Sequence, residues 1–178
     1  MSQFTWRLNN RFTVRATALL CSLLFLTGFT ESDIPKERVV AVRRVIDGDT
    51  FEADQHEKVR LIGINAPEDS AWKGRVDTYG PEATRFTQAL LEGKKVRLQF
   101  DKEPLDKYKR TLAYVYLENG TFVNELLVRE GWARARFYFP NGLHRKELEA
   151  AENQSRLLKK GLWSGNRLDK SKGRVYNK

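Results

Sequence analysis

Three short stretches of the chain carry side chains able to handle a phosphate. In Val45-Ile46-Asp47-Gly48-Asp49-Thr50-Phe51 two carboxylates flank a glycine between strand-like runs. In Arg60-Leu61-Ile62-Gly63-Ile64-Asn65-Ala66-Pro67-Glu68 a strand arginine is followed by an amide and, three residues later, a carboxylate. In Asp106-Lys107-Tyr108-Lys109-Arg110-Thr111-Leu112-Ala113-Tyr114 a charged loop delivers Arg110 into a strand. Hydrolysis of a phosphodiester needs a water that can lose a proton, positive charge beside the phosphate, and donors for the oxygens that gain charge. Asp49 and the side-chain oxygen of Asn65 are hard ligands for a cation, and Glu68 can take the proton. Arg60 and Arg110 can grip phosphate oxygens with two bonds each. An EF-hand is excluded, because no glutamate closes the span of roughly twelve residues that such a loop requires. Taken singly, each stretch has a plainer reading: a routine Asp-Gly turn, a solvated or capping glutamate, a charged loop. Only their convergence would make a site, and spacing along a chain does not establish convergence.

The elements that must position these residues are legible from pattern. Val39 to Val45 is rich in β-branched residues, Thr50 to Ala53 and Lys58 to Ile62 follow it, and Asp54-Gln55-His56-Glu57 reads as the turn between the latter two. Lys95 to Phe100 alternates strictly, one face for a core and one for water. Thr111 to Leu117 is a further strand, and Asn119-Gly120 predicts a tight hairpin into Thr121-Phe122-Val123. A first helix begins near Pro81, carries Ala83, Phe86 and Leu90, and stops at Gly93. A short second helix holds Val123, Leu126 and Leu127 and stops at Gly131. A third is expected over Leu143 to Lys160, with Leu148, Ala151 and Leu158 inward and Gly161 as its stop. Periodicity alone supports an α+β class. Short strands with one inserted and two trailing helices fit a small closed β-barrel of the OB type.

Composition narrows the partners. The 178 residues are 40% hydrophobic and 31% charged, enough apolar material for one core, and the net charge is +9. A domain this basic usually meets a polyanion. One Cys and two His exclude a zinc finger and a disulfide framework, so any metal is a hard cation held by oxygen. Arg7, Arg11 and Arg15 precede an apolar run from Ala16 to Phe29, which reads as a secretory signal over residues 1 to 32. No clean cleavage site follows, so an uncleaved amino-terminal anchor is the second reading. Leu20 before Cys21 argues against lipidation. The expected domain spans residues 33 to 166. Residues 167 to 178 form a basic tail sparse in apolar groups, read as flexible.

The three stretches, in this order, resemble the staphylococcal nuclease family, also called thermonuclease or micrococcal nuclease. The motifs are Val-Ile-Asp-Gly-Asp-Thr, Arg-Leu-x-Gly-x-x-Ala-Pro-Glu and Asp-Lys-Tyr-x-Arg-x-Leu-Ala-Tyr. Tyr79-Gly80-Pro81-Glu82-Ala83 and Leu162-Trp163-Ser164 add to the match, which runs from about Val39 to Gly165. The resemblance implies a five-stranded OB barrel with three helices, and calcium-dependent cleavage of DNA and RNA that leaves 3′-phosphates. By position it makes Arg60, Glu68 and Arg110 the catalytic residues, Asp49 a calcium ligand, and the Ala66 carbonyl another. Asn65 falls where the family has a second carboxylate, which keeps an oxygen but removes a charge from the metal site. Tyr108 is implied to hold a terminal phosphate, and Phe137 and Tyr138 to lie along the nucleotide. Arg136-Phe137-Tyr138-Phe139-Pro140 has phenylalanine where the family often has tyrosine, and core packing is expected of Phe137 or Phe139. A secreted or periplasmic monomer without an obligate protein partner is expected, touching membrane only if the signal is retained. Two competitors remain. A non-catalytic nucleic-acid-binding module of the same fold would lose the catalytic positions, which are present here. A membrane-surface protein would need a basic amphipathic helix, whereas the third helix mixes Arg145 and Lys146 with Glu147, Glu149 and Glu152.

Overall fold

The computed structural model describes residues 36–70, 75–165, 167–169 and 174–176. Five strands close a barrel: β1 (Glu37–Asp47), β2 (Thr50–Ala53), β3 (Lys58–Leu61), β4 (Lys95–Gln99) and β5 (Thr111–Leu117), in the order β1-β2-β3-β5-β4 and back to β1. One long strand makes the closure. The first half of β1 pairs with β4 (Glu37 opposite Gln99, Ala41 opposite Lys95), and the second half pairs with β2 (Val42 opposite Ala53, Asp47 opposite Thr50). Register shifts between Val42 and Arg44, and between Val45 and Asp47, bend β1 from one neighbour to the other. All neighbours are antiparallel except β3 and β5, which run parallel with Val59 opposite Thr111 and Arg60 opposite Leu112.

The barrel interior and the helices share one core, in which Phe51, Val59, Leu61, Val96, Leu98, Tyr114 and Val115 are almost fully buried. Helix α1 (Gly80–Leu91) starts on a proline turn and lays Ala83, Thr84, Thr87 and Leu91 against the barrel. Helix α2 (Val123–Arg129) packs on β5 and against helix α3 (Arg145–Leu157). Asn124 ties α2 to the strands: its side-chain amide donates to the Ile62 carbonyl at 2.8 Å, and its oxygen accepts the Val115 N–H at 2.9 Å.

Two expectations need correction. The Asn119-Gly120 turn forms, with the Gly120 N–H on the Leu117 carbonyl at 2.9 Å, but the returning strand shrinks to a single bridge between Tyr116 and Phe122. Burial of Val123 and Leu127 draws the chain into α2 at once, and the Leu126 N–H already bonds the Phe122 carbonyl. Helix α3 is shorter than its pattern. Leu148, Ala151 and Ser155 form the inward stripe, while Leu158 caps the end at 57% exposure and Lys159, with φ 51°, turns the chain before Gly161. Outside the barrel, Ile64–Asn65 pairs with Arg134–Ala135 and Asp69–Ser70 with Arg75–Val76. The stretch read as a tail carries a local ladder of Arg167–Asp169 with Arg174–Tyr176. The expected signal segment lies outside the described residues.

Candidate active site

The turn from β1 to β2 is where the site begins. The Asp47 carboxylate accepts the Asp49 N–H at 3.1 Å, which makes the turn a local one set by side chain and backbone. Gly48 at its tip touches two other elements. A Cβ there would stand 2.6 Å from the Ala66 Cβ and 3.0 Å from the Ala83 Cβ, and the Thr87 hydroxyl of α1 donates to the Gly48 carbonyl at 2.9 Å. The missing side chain lets turn, post-β3 loop and helix meet. Asp49 is therefore buried, and one carboxylate oxygen accepts the Ala66 N–H at 2.7 Å while the other accepts the Thr50 hydroxyl at 3.1 Å.

Arg60, from β3, reaches the same point. Its guanidinium pairs with the Asp49 carboxylate and donates to the Asn65 side-chain oxygen and to the Ile64 carbonyl, each at 3.2 Å. Only 13% of the side chain is exposed. Burial pushes the guanidinium down to about 10; the Arg110 charge adds to this, while Asp47, Tyr138 and Glu68 oppose it. Arg60 is thus a cation at neutral pH, and these four groups lie within its electrostatic reach. The parallel pairing of β3 with β5 explains one of them: Arg110 precedes Thr111, whose partner is Val59, the residue before Arg60. Two arginines far apart in sequence enter the site from neighbouring strands.

Arg110 is held by Asp106, which sequence reasoning left without a role. One Asp106 oxygen accepts the backbone N–H groups of Tyr108 and Arg110 at 2.8 and 2.9 Å, and the other accepts Arg110 Nε at 2.7 Å. Burial alone would raise the Asp106 carboxyl, but these bonds and the Arg110 charge outweigh it and hold the group below the usual carboxylate range. Only the i, i+4 spacing of the two residues hinted at this.

Glu68 follows Pro67 and is half-buried. Its position is fixed through the backbone: its N–H donates to the Asp77 carboxylate at 3.3 Å, its carbonyl accepts the Asp77 N–H at 2.8 Å, and Gly80 packs directly on that carbonyl. The aromatic expectations separate. Tyr108 and Tyr138 are exposed at 67% and 65%, with Arg110 lying 5.6 Å over the Tyr108 ring and Arg136 5.6 Å over Tyr138. Packing claims Phe137, which is half-buried against the core under the Arg145 guanidinium; Phe139 is 95% exposed.

The oxygen set suits a hard cation of low site charge. The Asp49 carboxylate and the Asn65 amide oxygen both lie against the Arg60 guanidinium, and the Asn65 side-chain nitrogen donates to the neighbouring Ala66 carbonyl at 3.4 Å. Among the described residues no group of three His, Cys, Asp or Glu is assembled for a metal, so a cation here would depend on amide and carbonyl oxygens as well as carboxylate.

Comparison with known proteins identifies the family. The family described as staphylococcal nuclease homologue matches residues 58–165. The chain belongs to the staphylococcal nuclease family. It is 46% identical over 131 residues to the thermonuclease of Staphylococcus hyicus, covering 72% of this chain and 77% of that protein. It is 46% identical over 125 residues to the thermonuclease of Staphylococcus intermedius, covering 68% and 74%. The SPbeta prophage-derived endonuclease YokF of Bacillus subtilis (strain 168) is 35% identical over 132 residues, 71% of this chain and 44% of that protein. Family membership accords with the closed barrel and its three helices, and the matched span contains Arg60, Glu68 and Arg110 but begins after Asp49.

Proposed function

We propose that this chain is a nuclease that hydrolyses phosphodiester bonds in DNA and RNA with little regard to sequence, leaving 3′-phosphates. The observation that carries this is the meeting of Arg60 and Arg110, from neighbouring parallel strands, beside the Asp49 carboxylate and within reach of Glu68. Asp49, the Asn65 side-chain oxygen and the Ala66 carbonyl would hold calcium. When bound, calcium supplies positive charge beside the phosphate in a site whose own carboxylate charge is small.

Glu68 takes a proton from the attacking water as its oxygen bonds to phosphorus. Arg60 and Arg110 donate to the phosphate oxygens that gain charge and to the departing 5′ oxygen, which is released as a hydroxyl with a proton from solvent. Burial keeps Arg60 in a low-dielectric setting where its donors act strongly, and Asp106 keeps Arg110 aimed. Tyr108, exposed beside Arg110, would hold a terminal phosphate, and stacking on bases would fall to Tyr138 and Phe139, since Phe137 is packed away. The remainder beyond residue 32 keeps 29 basic and 22 acidic residues, so binding is electrostatic and falls steeply with salt. The amino-terminal basic and apolar segment supports action outside the cytoplasm, in the periplasm or the medium.

A nicking assay on plasmid and single-stranded DNA, with calcium or with excess chelator, tests the proposal. Glu68→Gln should lower the rate by about a hundred- to ten-thousandfold, and Arg60→Ala or Arg110→Ala by on the order of a hundredfold. If all three variants cut as the parent does, or if chelator leaves cleavage intact, the proposal fails. Binding of DNA without any cleavage would assign the chain to the non-catalytic modules of this fold.

A further inference from the structure

Beside the active site lies a cavity of about 340 Å³, walled by Asn65, Pro67, Asp77, Thr78, Arg134 and Leu162. Asn65 belongs to both, since its side-chain oxygen accepts from Arg60. Asp77 is the residue that holds the Glu68 backbone, so the cavity adjoins the catalytic loop. Arg134 is the ladder partner of Asn65 and projects from the same face of that two-stranded pair. From there the chain alternates: Arg134, Arg136 and Tyr138 are exposed, while Ala135 and Phe137 turn inward. The Arg136 N–H bonds the Gly63 carbonyl at 2.8 Å, which pins this run alongside the strand that leads out of Arg60. The exposed face of the run is a track of two arginines and a tyrosine from the aromatic flank of the site to the cavity. Arg134 is also prepared for an anion. Its guanidinium lies 4.9 Å over the Trp163 ring, which fixes its plane, and among the described residues no carboxylate pairs with it, whereas Arg156 on the same ring has Glu152 at 2.6 Å.

We propose that this cavity is a second nucleotide subsite, which takes the residue of the substrate strand on the far side of the scissile phosphate from Tyr108. Arg134 binds a backbone phosphate, Pro67 and Leu162 give a base apolar walls, and Thr78 offers a hydrogen-bond partner to its edge. The proposal rests on the nuclease reading, and its test separates the two. The full-length chain in a Glu68→Gln background keeps the ligand intact. With calcium present, anisotropy of a dye-labelled eight-residue single-stranded DNA reports strand binding, and competition by a nucleoside 5′-monophosphate reports the aromatic flank alone. Arg134→Gln and, independently, Thr78→Tyr, which fills the cavity from its exposed rim, should each weaken the octanucleotide by roughly tenfold and leave the mononucleotide within about twofold. Arg134→Gln should also lower the salt slope of octanucleotide binding by about one. If neither variant affects the octanucleotide, or if both ligands weaken alike, the subsite is refuted. Cleavage of the same octanucleotide by the parent chain and by Arg60→Ala is read separately; if the two cut alike, the nuclease reading falls and the subsite with it.

Discussion

Gly80→Ala tests whether the backbone around Glu68 sets the rate. Gly80 opens α1, and a Cβ built there stands 2.2 Å from the Glu68 carbonyl oxygen and 2.8 Å from its carbon, where ordinary contact begins at 3.4 Å. The neighbour is backbone and cannot swing aside as a side chain would, so the Glu68 loop or the helix start must move by about 1 Å. Displacements of that size at reacting groups cost on the order of a hundredfold in rate, and the Glu68 side chain itself is unchanged. The same substitution elsewhere in a helix would stabilise by about 0.5–1 kcal/mol. Here overpacking of about 1–3 kcal/mol outweighs it at the middle of both ranges, for a net loss of roughly 1 kcal/mol and a melting temperature lower by about 2–4 °C. The assay is single-turnover cleavage of a defined single strand at saturating calcium, with thermal unfolding followed by circular dichroism. The rate should fall far more than substrate affinity, since the arginines and tyrosines stay in place. A parental rate together with unchanged or raised stability would refute the reasoning, because the contact between α1 and the Glu68 loop would then not exist in solution.

Three further outcomes are expected. Asn65→Asp adds a second carboxylate beside Asp49, so the calcium concentration giving half-maximal activity should fall on the order of tenfold; a titration showing an equal or higher midpoint would remove Asn65 from the proposed ligand set. Asp106→Asn takes the charge from the clamp on Arg110 and should lower kcat on the order of tenfold with smaller change in KM, whereas parental kinetics would show that Arg110 needs no such positioning. Asp101 gives a pH test away from the site. Burial would raise its carboxyl, but the N–H groups of Leu143, Gly142 and Lys102 and the Tyr114 hydroxyl outweigh that and hold it below the ordinary value. A depressed folded-state value contributes stability that is present above the unfolded value of roughly 4 and lost as pH falls through the folded one. Urea midpoints should therefore decline below about pH 4, and less steeply in Asp101→Asn; equal slopes would refute the assignment.

Much of the molecule was legible before its structure. Alternation and β-branching placed all five barrel strands within a few residues, because a strand with one buried face must repeat every second position. Helix starts and stops were marked by Pro81, Gly93 and Gly131. The chemical residues were legible too, because few side chains can hold a hard cation or grip a phosphate, and here they sit in three compact runs. Where local and tertiary preferences compete, pattern failed: Asn119-Gly120 makes its turn, but burial of Val123 and Leu127 claims the next residues for a helix. Leu158 continues the inward stripe of α3 on paper, yet the helix ends at Leu157 and Leu158, as its cap, stays 57% exposed.

Tertiary structure alone decided how the chemical residues meet. The parallel pairing of β3 and β5 sets Arg60 beside Arg110, and a parallel register between strands fifty residues apart leaves no local trace. Gly48 and Gly80 looked like a turn residue and a helix opener; their value lies in the space a Cβ would have taken from Ala66, Ala83 and the Glu68 backbone. Composition showed that Phe137 and Phe139 were hydrophobic, and only packing separated a ring held under Arg145 from one left in water. Sequence determines which groups are available and the period of each element. Which groups share a site depends on contacts between elements, whose energies arise only once the chain has closed on itself.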